Sequence, residues 1–136
     1  MANALYDKGR ESFLSDGTIQ WTVDNIKAVL VDTALYTVNL ATDQFLSDIA
    51  VGARVATSAN LASKTATAGV ADAADVTFSA VTGASVEAVV LYKDTGVAGT
   101  SRLITYIDTA TNLPVTPNGG DITVQWDNGA NKIFKL

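Results

Sequence analysis

The chain has 136 residues, no cysteine, no histidine, and nine Lys/Arg against fourteen Asp/Glu for a net charge of −5. This length suits one domain with a single core, and the missing cysteines exclude a disulfide-built scaffold. The acidic balance and basic residues scattered singly or in pairs argue against a phosphate-binding surface, so no nucleic-acid partner is expected.

Residues 1–20 read as a short N-terminal helix or an extended arm, set apart from a domain over 21–136. Leu5, Tyr6, Phe13 and Leu14 approximate helical spacing, but Gly9 interrupts them, which weakens a helix by about 1 kcal/mol relative to Ala. Ser15-Asp16-Gly17 supplies the turn that ends the element. Nothing in Met1 to Arg10 resembles a basic region followed by an apolar stretch, so a signal peptide is not expected.

Ile19 to Asp32 reads as strand. Within it, Lys27-Ala28-Val29-Leu30-Val31 is nearly continuous in apolar and β-branched residues, the pattern of a strand covered on both faces. Thr42 to Ile49 predicts one or two helical turns, with Thr42 as N-cap and Asp43 near the positive helix end.

Signals from Arg54 onward are β. Arg54 to Ser58 and Ala62 to Thr67 are rich in Thr, Val and Ala, and Val76, Phe78 and Ala80 fall on one face of an alternating segment. Val86 to Lys93 is the strongest strand pattern, followed by Leu103 to Asp108 across a loop at Asp94 to Ser101. Ile122, Val124 and Trp126 alternate inward. Asp127 to Asn131 then predicts a turn closing a hairpin with Lys132 to Leu136, which would tie the last strand into a sheet. Seven or eight short strands between Gly, Asn, Asp and Pro turns predict a mainly β, single-domain sandwich or jelly roll. No run approaches the roughly 20 apolar residues of a membrane span, so no membrane partner is expected.

The chemical inventory is sparse. Without histidine and cysteine, the usual general base, nucleophile systems and transition-metal ligands are missing. Asp72 and Asp75 flank two alanines, but nothing in their sequence surroundings would hold one protonated. The loops at Asn118 to Asp121 and Asp127 to Asn131 carry oxygen ligands and glycines, yet neither follows the EF-hand pattern. Turn chemistry accounts for both loops. No catalytic residue, cofactor or metal is therefore assigned, and the chain is not expected to be an enzyme. The candidate residues are instead those of an interface: Leu5, Tyr6, Phe13, Leu14 and Trp21, where apolar and aromatic side chains sit on a peripheral segment.

Three stretches carry a resemblance: Ala4-Leu5-Tyr6-Asp7-Lys8-Gly9-Arg10, Ile26 to Asp32, and Val115 to Ile122 with Asn131 to Leu136. In these the chain resembles small structural proteins encoded by tailed bacteriophages, and among them head decoration, or cement, proteins. The resemblance implies a compact β-sandwich or jelly roll on the capsid exterior, made in the host cytoplasm. Its partner would be the major capsid protein, whose subunits it bridges, usually as a dimer or trimer and often through a terminal arm. A protein that binds only the assembled geometry stabilises it by mass action, and many copies of a modest contact add through multivalency. The alternatives are a tail-tube, tail-terminator or fibre-associated β module, or a carbohydrate-binding module using exposed aromatics.

Overall fold

The computed structural model describes residues 4–109, 113–130 and 132–136. Among them the chain is mainly β, with nine strands in antiparallel sheets and one short N-terminal helix, a small sandwich-like domain. The strands are β1 (Ala4–Leu5), β2 (Ile26–Val31), β3 (Arg54–Thr57), β4 (Val70–Ala71), β5 (Val76–Phe78), β6 (Ala88–Lys93), β7 (Leu103–Ile107), β8 (Ile122–Val124) and β9 (Phe134–Lys135). A five-stranded sheet in the order β1-β7-β6-β2-β3 forms the centre, and the ribbons β4-β9 and β5-β8 lie to one side of it.

The apolar run in β2 is covered on both faces, as its composition predicts. Ile26, Ala28 and Leu30 enter one core with Val89 and Leu91 of β6, packed against Phe78, Ile122, Val124, Trp126 and Phe134 of the ribbons. Val29 and Val31 enter a second core with Ala88, Val90 and Tyr92, closed by Tyr36, Leu46, Ile49 and Ala53. This second cover is the irregular segment 33–53, whose only helical backbone is two short 3₁₀ turns, Leu46–Asp48 and Val51–Ala53. A bulge in β7 sets Leu91 opposite Thr105 and Tyr92 opposite Leu103, leaving Ile104 as the extra residue. It turns Ile104 into the first core while Leu103 and Tyr106 stay in the second.

The N-terminal segment belongs to this fold. β1 pairs with β7, and the extended backbone sends Leu5 to the first core and Tyr6 to the second. A five-residue helix, α1 (Asp7–Glu11), follows and widens into one π-helical turn, Ser12–Asp16. Gly17, at φ +65°, closes it in the left-handed conformation that glycine adopts without strain. Gly9 is required by close approach: a Cβ there would lie 2.6 Å from the Leu103 carbonyl oxygen. An arm free of the domain is thus not what residues 4–16 form, because main-chain pairing and this contact fix them to β7. Residues 1–3 lie outside the described part.

Four local expectations are corrected. Ile19–Asn25 is a turn built on Gln20, whose carbonyl accepts from Val23 and Asp24 N–H, so the strand begins only at Ile26. Residues 62–67 contribute only an isolated bridge, Thr65 to Asp72. Ala80 leaves the face shared by Val76 and Phe78, with φ +48° and an exposed side chain. The C-terminal hairpin does not form, since β8 pairs with β5 and β9 with β4. A turn signal fixes that the chain changes direction; the partner of each arm is decided by which strand offers an apolar face at the same sheet. Asn131 of that turn lies outside the described residues.

Gly9→Ala provides a test of the contact with β7. Helix propensity alone would make the substitution favourable by about 1 kcal/mol, whereas forcing a backbone apart in a packed site costs about 1–3 kcal/mol. The expected outcome is a lower urea midpoint with an unchanged m-value.

Candidate docking surface

Four of the five sequence-predicted interface residues are turned inward. Leu5, Tyr6 and Trp21 are buried, and the half-buried Phe13 packs on the first core. Trp21 meets Phe134 edge-on at 5.3 Å between ring centroids, and Phe13 meets the same ring at 5.8 Å. Trp21 Nε1 also donates to the Asp72 carbonyl at 3.3 Å. These aromatics are peripheral in sequence and internal in space, because they seal the edge of the core beside β9. Leu14 alone remains outward, 77% exposed.

Val23, Val97 and Leu136 are exposed at separate places along the chain, and two further exposed apolar side chains, Leu35 and Val51, lie together on the second cover. Leu35 is 59% and Val51 76% exposed, and the site a Cβ of Gly52 would occupy lies 3.8 Å from Leu35 Cδ1. Ala34 and Ala50 beside them are exposed too, so five neighbouring positions present no charged side chain.

Hydrogen bonds hold this patch in shape. Asp32 accepts from Ala34 N–H through Oδ1 and from Leu35 N–H through its carbonyl, at 2.9 and 3.1 Å. Its own N–H donates to the Ala53 carbonyl at 2.9 Å, which joins the two halves. Arg54 donates from Nε to the Ile49 carbonyl at 2.9 Å and from an Nη to the Leu46 carbonyl at 3.1 Å, fixing the turn that carries Val51.

A buried hydroxyl chain anchors the same cover from inside. Tyr36 donates its single proton to Asp43 Oδ2 at 2.6 Å, so the 2.9 Å contact between the two tyrosine hydroxyls has Tyr6 as donor. Burial pushes the phenol groups of both tyrosines well above their ordinary range, so both stay neutral. Asp43 also accepts from Asn39 N–H at 2.9 Å. The predicted helical turn with Thr42 as N-cap gives way to this arrangement. Asn39 Oδ1 receives Thr42 N–H, and Asp48 caps the 3₁₀ turn Leu46–Asp48 by accepting from Gln44 and Phe45 N–H at 2.7 and 2.9 Å.

The other carboxylates also serve the fold. Asp75 accepts from Trp126 N–H at 3.0 Å, and Asp72 lies 3.9 Å from Lys132 Nζ. Asp127 and Asn118 close their own loops onto Gly129 and Gly120 N–H. Among the described residues no three His, Cys, Asp or Glu side chains converge as a metal site. Two open clefts of about 330 and 320 Å³ flank Lys132. The first runs between β1 and β9, lined by Leu5, Thr105 and Phe134 with Asp127, Lys132 and Lys135. No helix of the described residues is long and apolar enough to cross a membrane. Neither the protein-family models nor the curated proteins provide a match to this chain.

Leu35 and Val51 escape sequence reading because they sit in a segment without period 2 or 3.6. The available signal is apolar residues between turn formers, at Asp32-Thr33-Ala34-Leu35 and Ala50-Val51-Gly52.

The hydroxyl chain makes a directional prediction. Tyr36→Phe strands the buried Tyr6 hydroxyl and removes a donor from Asp43, at a cost of about 1–3 kcal/mol. Tyr6→Phe leaves the Tyr36–Asp43 bond intact and costs less, and the double variant recovers part of the Tyr36→Phe loss. Chemical denaturation of the three variants checks this order.

Acid should loosen the start of the cover. Burial alone would raise the Glu87 pKa, but hydrogen bonds from Ser85 Oγ and from Thr33 N–H and Oγ1 outweigh it and hold the carboxyl below its ordinary 4.5. A depressed folded-state pKa gives stability that is present above 4.5 and lost as pH falls through the lowered value. Glu87→Gln should lower Tm at neutral pH and flatten its decline below pH 4.5, as measured by thermal unfolding across that range.

Proposed function

We propose that this chain is a non-catalytic structural protein of a virion, a decoration or cement protein that binds the outer surface of a bacteriophage capsid. The observation that carries this reading is the Leu35–Val51 patch, an exposed apolar surface on a cover pinned by Arg54, Asp32 and the tyrosine chain. Its sequence resemblance to phage head decoration proteins supports the choice of assembly. A preorganised apolar patch loses little conformational freedom on docking, which suits a contact repeated in many copies. The partner in this reading is the major capsid protein, with neighbouring subunits bridged by a dimer or trimer of the chain. Nucleic acid and membrane have no part in it.

The test is addition of the purified protein to capsids that lack it, followed by pelleting and capsid melting. Co-sedimentation and a raised capsid melting temperature are expected. Val51→Asp and Leu35→Asp should abolish both while moving the protein's own unfolding by no more than about 0.5 kcal/mol, as exposed substitutions do. Absence of co-sedimentation, or antibody label on tails alone in micrographs of the particle, would overturn the reading.

A further inference from the structure

The sequence contains two Asn-Gly pairs, Asn118-Gly119 and Asn128-Gly129, both exposed. This dipeptide is chemically unstable in water, because glycine lacks the side chain that would hinder attack by its backbone nitrogen on the preceding amide carbon. The nitrogen of the glycine bonds to Cγ of the asparagine, its proton passes to solvent, and ammonia leaves to give a cyclic imide. Water then opens the ring at either carbonyl, yielding aspartate or isoaspartate. The net change consumes one water, releases one ammonia and needs no oxidant or enzyme.

Local sequence gives both asparagines the same reactivity, and the fold separates them. At the first pair, the attacking group is engaged: Gly119 N–H donates to the Val81 carbonyl at 2.8 Å. The Asn118 side chain is held as well, its Oδ1 accepting from Gly120 N–H at 3.0 Å. Two further bonds clamp this turn to the neighbouring loop, from Val81 N–H to the Gly120 carbonyl and from Ala80 N–H to Asp121 Oδ1, both at 3.0 Å. At the second pair, Gly129 N–H makes only a local contact with Asp127 Oδ1 at 3.1 Å, and the Gly129 carbonyl accepts from Lys132 N–H at 3.2 Å. The Asn128 side chain has no hydrogen bond among the described residues, so it is free to rotate onto the nitrogen.

We infer that Asn128 is a self-modification site of this protein, converting spontaneously to aspartate and isoaspartate while Asn118 is protected by the fold. The product gains a negative charge and, as isoaspartate, one more backbone carbon in the turn leading to β9. That strand carries Phe134, the ring on which Phe13 and Trp21 pack.

The experiment incubates the full chain at mildly alkaline pH, folded and in urea, and samples both over time. Cleavage before aspartate separates Asn118 from Asn128, because Asp121 and Asp127 lie between them. Mass spectrometry then measures each conversion. In urea the two should react alike. In the folded protein Asn128 should react about tenfold faster than Asn118, the factor equivalent to about 1.4 kcal/mol for breaking the Gly119 bond before attack. Gly129→Ala should suppress conversion at 128 and leave 118 unchanged. Equal rates in the folded protein, a faster Asn118, or an Asn128 slowed by folding as much as Asn118 would overturn the assignment.

Discussion

Strands β2 and β6 have hardly a polar position between Ala28 and Tyr92, so the sheet they share cannot present either face to water. Fully burying one aliphatic side chain contributes about 1.5–3 kcal/mol, and both faces of this sheet are lined with them. Two covers follow from that constraint. One is made of the ribbons β4-β9 and β5-β8, and the other of the irregular segment 33–53. The N-terminal strand serves both, since consecutive residues Leu5 and Tyr6 point into opposite cores.

A cover without regular secondary structure must satisfy its backbone groups in other ways. Asp32, Asp43, Asp48 and Arg54 do this by binding main-chain N–H and carbonyl groups, and the strands contribute the rest. Leu46 N–H donates to the Ser101 carbonyl and Leu103 N–H to that of Gln44. Arg102 also stacks 4.5 Å over the Phe45 ring, tying the cover to the start of β7. These carboxylates hold loops, and the cover exposes the Leu35–Val51 patch beside polar residues at Thr37, Asn39, Thr42, Ser47 and Asp48. The proposed attachment to a capsid draws on that rigidity rather than on reactive groups.

Both edge strands of the central sheet are short or bulged. β1 offers only two residues. β3 carries a bulge, with Leu30 opposite Ala56 and Val31 opposite Arg54, which leaves Val55 as the extra residue packed toward the first core. Short and bulged edges resist strand addition by other chains.

Composition and period determined the β class, the two-faced burial of β2, the inward set Ile122, Val124 and Trp126, and the end of the N-terminal element at Gly17. Those features are local: alternation, β-branched runs and a left-handed glycine act within a few residues. Tertiary structure alone decided that Tyr6, Phe13 and Trp21 are internal, that β8 and β9 take separate partners, and that Leu35 and Val51 form the exposed patch. Aromatic residues on a terminal segment read alike whether they seek a neighbouring molecule or their own core. The choice depends on whether the fold leaves a sheet edge for them to seal, and here β7 and β9 do. The same holds for the two Asn-Gly pairs, identical in sequence and distinguished by a hydrogen bond from Gly119 to a carbonyl 38 residues away.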